Sequence, residues 1–303
     1  MKMNKKVIMF GGKGGVGKST MSASAAMYFA SRGEKTLVLS SDPAPSLSDI
    51  FGIKLGSTPE KIDENLYGME ISEQEVLKRW KEKFGKDIYE VLSSFFDVDV
   101  DIVDYIGTAP GIEEEFLLDY IMEMVKNEEY DRIIWDTAPM GHTLKLLFIP
   151  SKFIEHLNLA AVVYAKFHGK FKGRTIFDII EEWKTLAEEV LDFLRTGVDV
   201  FVVAVPQELS VRQTERLITE FENYGIRVSK VVMNEIVTSG CCDIHIRAMK
   251  RQEKYIAELK KKYENLIEIP LMCDIERDDL MEISQKLFEG RDLVGLNRSC
   301  ASC

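Results

Sequence analysis

Short runs of consecutive apolar residues, each closed by polar or glycine residues, punctuate the chain. Lys6–Phe10 ("KVIMF"), Lys35–Asp42 ("KTLVLSSD") and Asp131–Asp136 ("DRIIWD") come first. Val198–Val205 ("VDVFVVAV"), Ser229–Asn234 ("SKVVMN") and Leu266–Pro270 ("LIEIP") follow. Runs this short and continuous suit strands covered on both faces. Stretches with helical spacing lie between them, the first over about Lys18–Ser31 and closed by Gly33. The alternation predicts an α/β fold with a doubly wound, mainly parallel sheet.

Two segments break this rhythm. Residues 72–129 and 144–196 are mostly helical in pattern and too long for ordinary connections. They predict a helical subdomain formed by two insertions over the C-terminal edge of the sheet. Open α/β sheets bind their ligands at that edge. The whole chain, 1–303, then reads as one domain with this subdomain inserted, and 291–303 as a flexible polar tail.

Composition narrows the function. The net charge is −11, from 39 basic and 50 acidic residues, and no basic stripe is visible, which argues against a nucleic-acid partner. A hydrophobic fraction of 46% is ample for a core. The apolar stretches Leu157–Ala165 and Val200–Pro206 are too short to cross a bilayer. The N-terminal apolar run leads into glycines instead of a cleavage site, so it does not read as a secretory signal. Five cysteines, an odd number without framework spacing, suit a reducing, cytoplasmic setting.

The glycines after the first strand carry the chemistry. "GGKGGVGKST" fits G-x-x-x-x-G-K-[ST], with Gly12, Gly17, Lys18 and Ser19 at the fixed positions. Glycine lets successive N–H groups turn inward around an oxyanion, and the next helix presents its positive end to it. The loop Gly12, Lys13, Gly14, Gly15, Val16, Gly17, Lys18, Ser19 and Thr20 is thus expected to wrap the phosphates of ATP. Lys18 would reach the β- and γ-phosphates, and Ser19 would ligate Mg²⁺. Lys13 is surplus to this pattern. Either it is simply solvated, or it points toward the nucleotide of a second subunit and neutralises charge on the transferred phosphoryl group. Asp136 ends an apolar strand, where a carboxylate holds Mg²⁺ through water.

"GKGGVGKS" resembles the deviant phosphate loop shared by the nitrogenase iron protein, cell-division-site ATPases and arsenical-pump ATPases. Ser40–Phe51 ("SSDPAPSLSDIF"), Pro110–Glu114 ("PGIEE") and Asp136–Leu147 ("DTAPMGHTLKLL") narrow the likeness. So do Leu209–Leu217, Val232–Glu235 and Ile269–Asp278. Together they resemble the arsenical-pump-driving and tail-anchored-protein-targeting ATPases, over roughly residues 5–290.

The resemblance implies a homodimeric ATPase. Asp42 would activate the attacking water, Asp49 would hold Mg²⁺ through water, and Gly141 would approach the γ-phosphate in a second switch. The family's Asp-Pro-Ala-His-Asn is here Asp42-Pro43-Ala44-Pro45-Ser46, so two polar switch side chains are missing. His142 reads as a hydrogen-bonding switch residue or a catalytic base. Asn234 would contact adenine, with Pro270, Met272 and Cys273 lining its pocket.

Cys242 and His245 stand where targeting members carry a Cys-x-x-Cys that binds zinc across the two-fold axis. They would give a Cys₂His₂ zinc set from two copies, or else a metal-free helix start. Cys300 and Cys303 on the tail could clip a metal, form a reversible disulfide or be inert.

The implied partners are a second copy and either a hydrophobic membrane-protein segment or a membrane pump or receptor subunit, with transient membrane association through that partner. Residues 72–196 contain no cysteine, which counts against a three-cysteine arsenite site. No methionine falls within 70–121 or 141–232, so a client groove would be made of Leu, Ile, Val and Phe. Phe153–Gly173 is the candidate groove segment, or else core packing of the dimer. Asp97–Asp104 reads as a solvated acidic stretch in preference to a Ca²⁺ site.

Overall fold

The computed structural model describes residues 5–42, 44, 46–94, 97, 99–107, 112–138, 150–152, 154–159, 162, 175–240, 242–272 and 275–291. The chain separates into two compact units. One comprises Met1–Glu70, Tyr130–Thr143 and Gly197–Cys303, the other Ile71–Glu129 and Leu144–Thr196.

The first unit is built on eight strands. They are β1 (Val7–Gly12), β2 (Thr36–Ser40), β3 (Glu60–Asp63), β4 (Leu66–Glu70), β5 (Arg132–Asp136), β6 (Val198–Ala204), β7 (Val228–Ile236) and β8 (Leu266–Pro270). Their order is β3-β4-β2-β5-β1-β6-β7-β8. Every pairing is parallel except β3 with β4. The expected α/β fold with a doubly wound, mainly parallel sheet is therefore present. β1 lies between β5 and β6: the chain runs from β1 to β2 on one side of it and, after β5, crosses to β6 on the other. Its C-terminal end is the switch point where such sheets bind ligands.

Burial explains why the apolar runs are continuous. Every residue of β1, β2 and β5 is buried, because helices cover both faces. α1 (Lys18–Ala30) is buried on nearly all sides and made mostly of small residues. Ala23, Ala25 and Ala26 are fully buried, which lets the sheet and α9 (Arg277–Glu289) approach closely. Phe10 and Phe201 meet edge to face beneath α1, centroids 5.2 Å apart. α2 (Leu47–Phe51), α7 (Glu208–Asn223) and α8 (Asp243–Lys262) complete this unit.

The second unit is helical: α3 (Glu73–Ser93), α4 (Ile102–Gly107), α5 (Ile112–Lys126) and α6 (Ile176–Thr196). α3 starts at Ser72, whose side chain accepts the N–H of Glu75 at 3.3 Å. α4 packs on α3 where Gly107 faces Trp80; a Cβ there would lie 3.0 Å from the indole ring. Among the described residues no helix is long and apolar enough to cross a membrane.

Candidate functional site

β1 delivers the chain to the sheet edge at Gly12, and α1 takes it back at Lys18. Two glycines fix the turn. Gly12 has φ 153°, and a Cβ on it would lie 2.4 Å from the carbonyl oxygen of Val203 on β6. Gly17 caps α1 with φ 90°, and its Cβ would lie 2.3 Å from Nδ2 of Asn234. No side chain fits at either place, so the backbone itself forms the inner wall of the loop. The free N–H groups of the first turn of α1 then face outward at the sheet edge, ready for an anion.

Lys18 and Asp136 supply the charges. Lys18 is buried, and its Nζ lies 3.4 Å from the carbonyl oxygen of Lys13. Burial lowers its pKa, while Asp136 and Asp42 act in the opposite direction. Asp136 is fully buried at the end of β5. Ser19 Oγ donates to its Oδ2 at 2.7 Å, Ser40 Oγ to the same oxygen at 3.3 Å, and Ser22 Oγ to Oδ1 at 3.5 Å. Burial pushes the carboxyl up to about 6, against the Ser19 hydrogen bond and the Lys18 charge, with Asp42 adding to the upward push. A hydroxyl and a carboxylate in contact are hard oxygen donors that suit Mg²⁺, whose charge would favour the ionised carboxylate.

Asp42 lies just past β2. Its Oδ1 accepts the N–H of Ala44 at 3.0 Å, forming a local turn, and its own N–H donates to Ser40 Oγ at 3.3 Å. Ser40 thereby joins the Asp42 backbone to Asp136. Trp135 Nε1 donates to Ser41 Oγ at 3.0 Å, stitching the same strand end to β5. Ser22 and Ser40 have no place in the sequence pattern. They are found only because α1 and β2 both border Asp136.

The remaining expected site residues fall in different places. Asn234 is buried, and its Nδ2 donates to the carbonyl of Val16 at 3.0 Å, so one amide hydrogen is spent holding the phosphate loop. Pro270 ends β8 opposite Ile236, on the same sheet edge. Met272 is partly buried against the core of this unit. Asp49 is exposed on α2 and is not among the hydrogen-bond partners of Asp136. Lys13 is half-buried, and among the described residues its ammonium makes no hydrogen bond or ion pair.

Cys242 Sγ and His245 Nδ1 lie 3.2 Å apart at the start of α8, giving two ligand atoms from one chain. No group of three or more His, Cys, Asp or Glu converges among the described residues. Gly141, His142, Cys273, Cys300 and Cys303 lie outside the described residues.

A parallel strand, a loop that tolerates only glycine at two points, a helix start and a buried Lys–Asp pair define the phosphate-loop nucleotide hydrolases as a class. The chain belongs to the anion-transporting ATPase family, which it matches over residues 5–287. It is similar to "Putative arsenical pump-driving ATPase 2" of Aquifex aeolicus, with 32% identity over 277 residues, covering 88% of this chain and 92% of that protein. It is also similar to the ATPase ASNA1 homolog of Dictyostelium discoideum, 32% identical over 275 residues, covering 85% and 80% of the two chains. ATPase GET3 of Podospora anserina is 31% identical over 311 residues, covering 93% and 90%. The protein is therefore an ATPase.

Proposed function

We propose that the protein is a homodimeric, Mg²⁺-dependent ATPase that carries hydrophobic segments of membrane proteins. The convergence of Lys18, Ser19 and Asp136 on one glycine loop carries the hydrolytic part of this reading. Mg²⁺, held by Ser19 and by Asp136 through water, would neutralise charge on the β- and γ-phosphates. Lys18 binds the same phosphates. Asp42, once its carboxylate leaves the Ala44 N–H, orients and deprotonates the attacking water. Lys13, whose ammonium makes no hydrogen bond or ion pair among the described residues, would reach the nucleotide of the second copy. Asn234 keeps its second amide hydrogen and its oxygen for the adenine, beside Pro270 and Met272.

Binding and loss of the γ-phosphate would shift the segment after Asp136 between two states and move the helical unit with it. Zinc at Cys242 and His245 would need the second copy to complete four ligands. A hydrophobic client is favoured over arsenite because residues 72–196 contain no cysteine. Co-expression with a tail-anchored membrane protein, then size-exclusion chromatography, tests the client. Co-elution with a dimer is expected, and elution of the ATPase without the client in every nucleotide state would refute it.

A further inference from the structure

Asp42 lies between two elements, the end of β2 at Ser40 and the start of α2 at Leu47. A carboxylate that has to orient one water needs both ends of such a stretch fixed, because a misplacement of about 1 Å can cost much of the rate. The sheet fixes the first end. Ser40 stands in register with Asp136 on β5 and donates to its carboxylate at 3.3 Å.

The second end has less to hold it. α2 has five residues, too few for a helix to persist by its own propensity. Leu47 is fully buried, and it is the one buried residue of this helix. The fixing group comes from β4. Glu70 stands in register with Ser40 on the other side of β2, so Asp136, Ser40 and Glu70 form one row across the strand ends. Glu70 Oε1 accepts the backbone N–H of Ser48 at 2.8 Å, and Oε2 accepts the Ser48 hydroxyl at 2.7 Å. Ser48 Oγ accepts in turn the N–H of Leu55 at 3.0 Å. Glu70 is itself anchored: its N–H donates to the carbonyl of Gly56 at 2.9 Å, and its carbonyl accepts from Ser57 Oγ at 3.3 Å. Two hydrogen bonds to one carboxylate fix direction as well as distance. A glutamine offers one acceptor oxygen for these two donors.

We propose that Glu70 is a positioning residue for ATP hydrolysis. It grips the start of α2 and so sets the place to which the Asp42 stretch returns, without touching the nucleotide. This rests on the reading of Asp42 as the group that orients the attacking water. The loss expected from breaking the grip is in rate and not in affinity. Among the described residues, neither Lys18 nor Ser19 is a hydrogen-bond partner of Glu70 or Ser48.

The test compares the unmodified full-length protein with Glu70→Gln, Ser48→Ala, the double variant and Asp42→Asn. Steady-state ATP turnover with Mg²⁺ gives kcat, and calorimetric titration with ADP gives affinity. Glu70→Gln is expected to lower kcat about ten-fold, the scale of one hydrogen bond to a charged group. ADP affinity should stay within about two-fold, the split expected when an interaction serves the transition state alone. Ser48→Ala should slow turnover by a smaller factor, because its backbone N–H still meets Oε1. The double variant should be no slower than Glu70→Gln, since both changes remove the same grip. Unchanged kcat in Glu70→Gln would overturn the proposal. So would a matching fall in its ADP affinity, or defects that multiply in the double variant, as a general loosening of the fold would give. Asp42→Asn separates the two levels of the argument. Full turnover in that variant refutes the role of Asp42 and the proposal with it. Lost turnover there, with normal turnover in Glu70→Gln, refutes the role of Glu70 alone.

Discussion

Asp136 shows how much a single residue at the sheet edge does before any nucleotide arrives. Its carboxyl is raised from 3.8 to about 6, first by burial. A raised folded-state pKa means that the neutral form is the better tolerated one. Its stabilising contribution is present in full below about pH 4 and is lost as the pH climbs through about 6. The gap corresponds to about 3 kcal/mol. Asp136→Asn removes the titration. Urea unfolding of the nucleotide-free protein between pH 4 and 7 should therefore show the unmodified chain losing stability relative to the variant by about that amount. Parallel pH curves for the two would show that Asp136 is ionised throughout.

Lys18, Ser19 and Asp136 were legible in the sequence because fixed spacing or a strand end placed them. The serines around Asp136 and the bond from Asn234 to Val16 were not. They depend on which strands become neighbours, and no local pattern records that.

Elements follow the same division. Six strands announced themselves as apolar runs, and each lies within about two residues of its expected limits at both ends. β3 and β4 did not. Glu60–Asp63 is polar and largely exposed, and it is a strand only because it pairs with β4 at the sheet edge. β7 runs past its expected end because Glu235 takes φ 58° and a register shift lets pairing with β8 resume at Ile236.

α1 was legible as a helix from its start at the phosphate loop, but its lack of a polar face means that it is enclosed. This makes it intolerant of size. Ala26→Leu adds three carbons where exposure is zero, and it should cost about 1–3 kcal/mol. The expected signature is a lower urea midpoint with an unchanged slope; an unaltered midpoint would mean that α1 has room the packing does not show.

At the scale of the whole molecule, the question left by the sequence is what the second lysine of the loop does. On the proposed reading Lys18 serves the phosphates of its own site, while the Lys13 ammonium makes no hydrogen bond or ion pair among the described residues. If Lys13 serves the opposite nucleotide, defects at Lys13 and Asp42 must complement each other between subunits. Consider a heterodimer of a Lys13→Ala chain and an Asp42→Asn chain. The site in the first chain keeps its own Asp42 and borrows the partner's intact Lys13. The other site lacks both. Each homodimer should be nearly inactive yet still bind ATP, because the Lys18, Ser19 and Asp136 set is untouched. The heterodimer, purified through two different tags, should recover about half the unmodified turnover per dimer. If Lys13 instead acts within its own chain, each heterodimer site lacks one of the two groups and no activity returns. Single-turnover measurements on the tagged heterodimer separate these outcomes, and they decide between a shared active site and two independent ones.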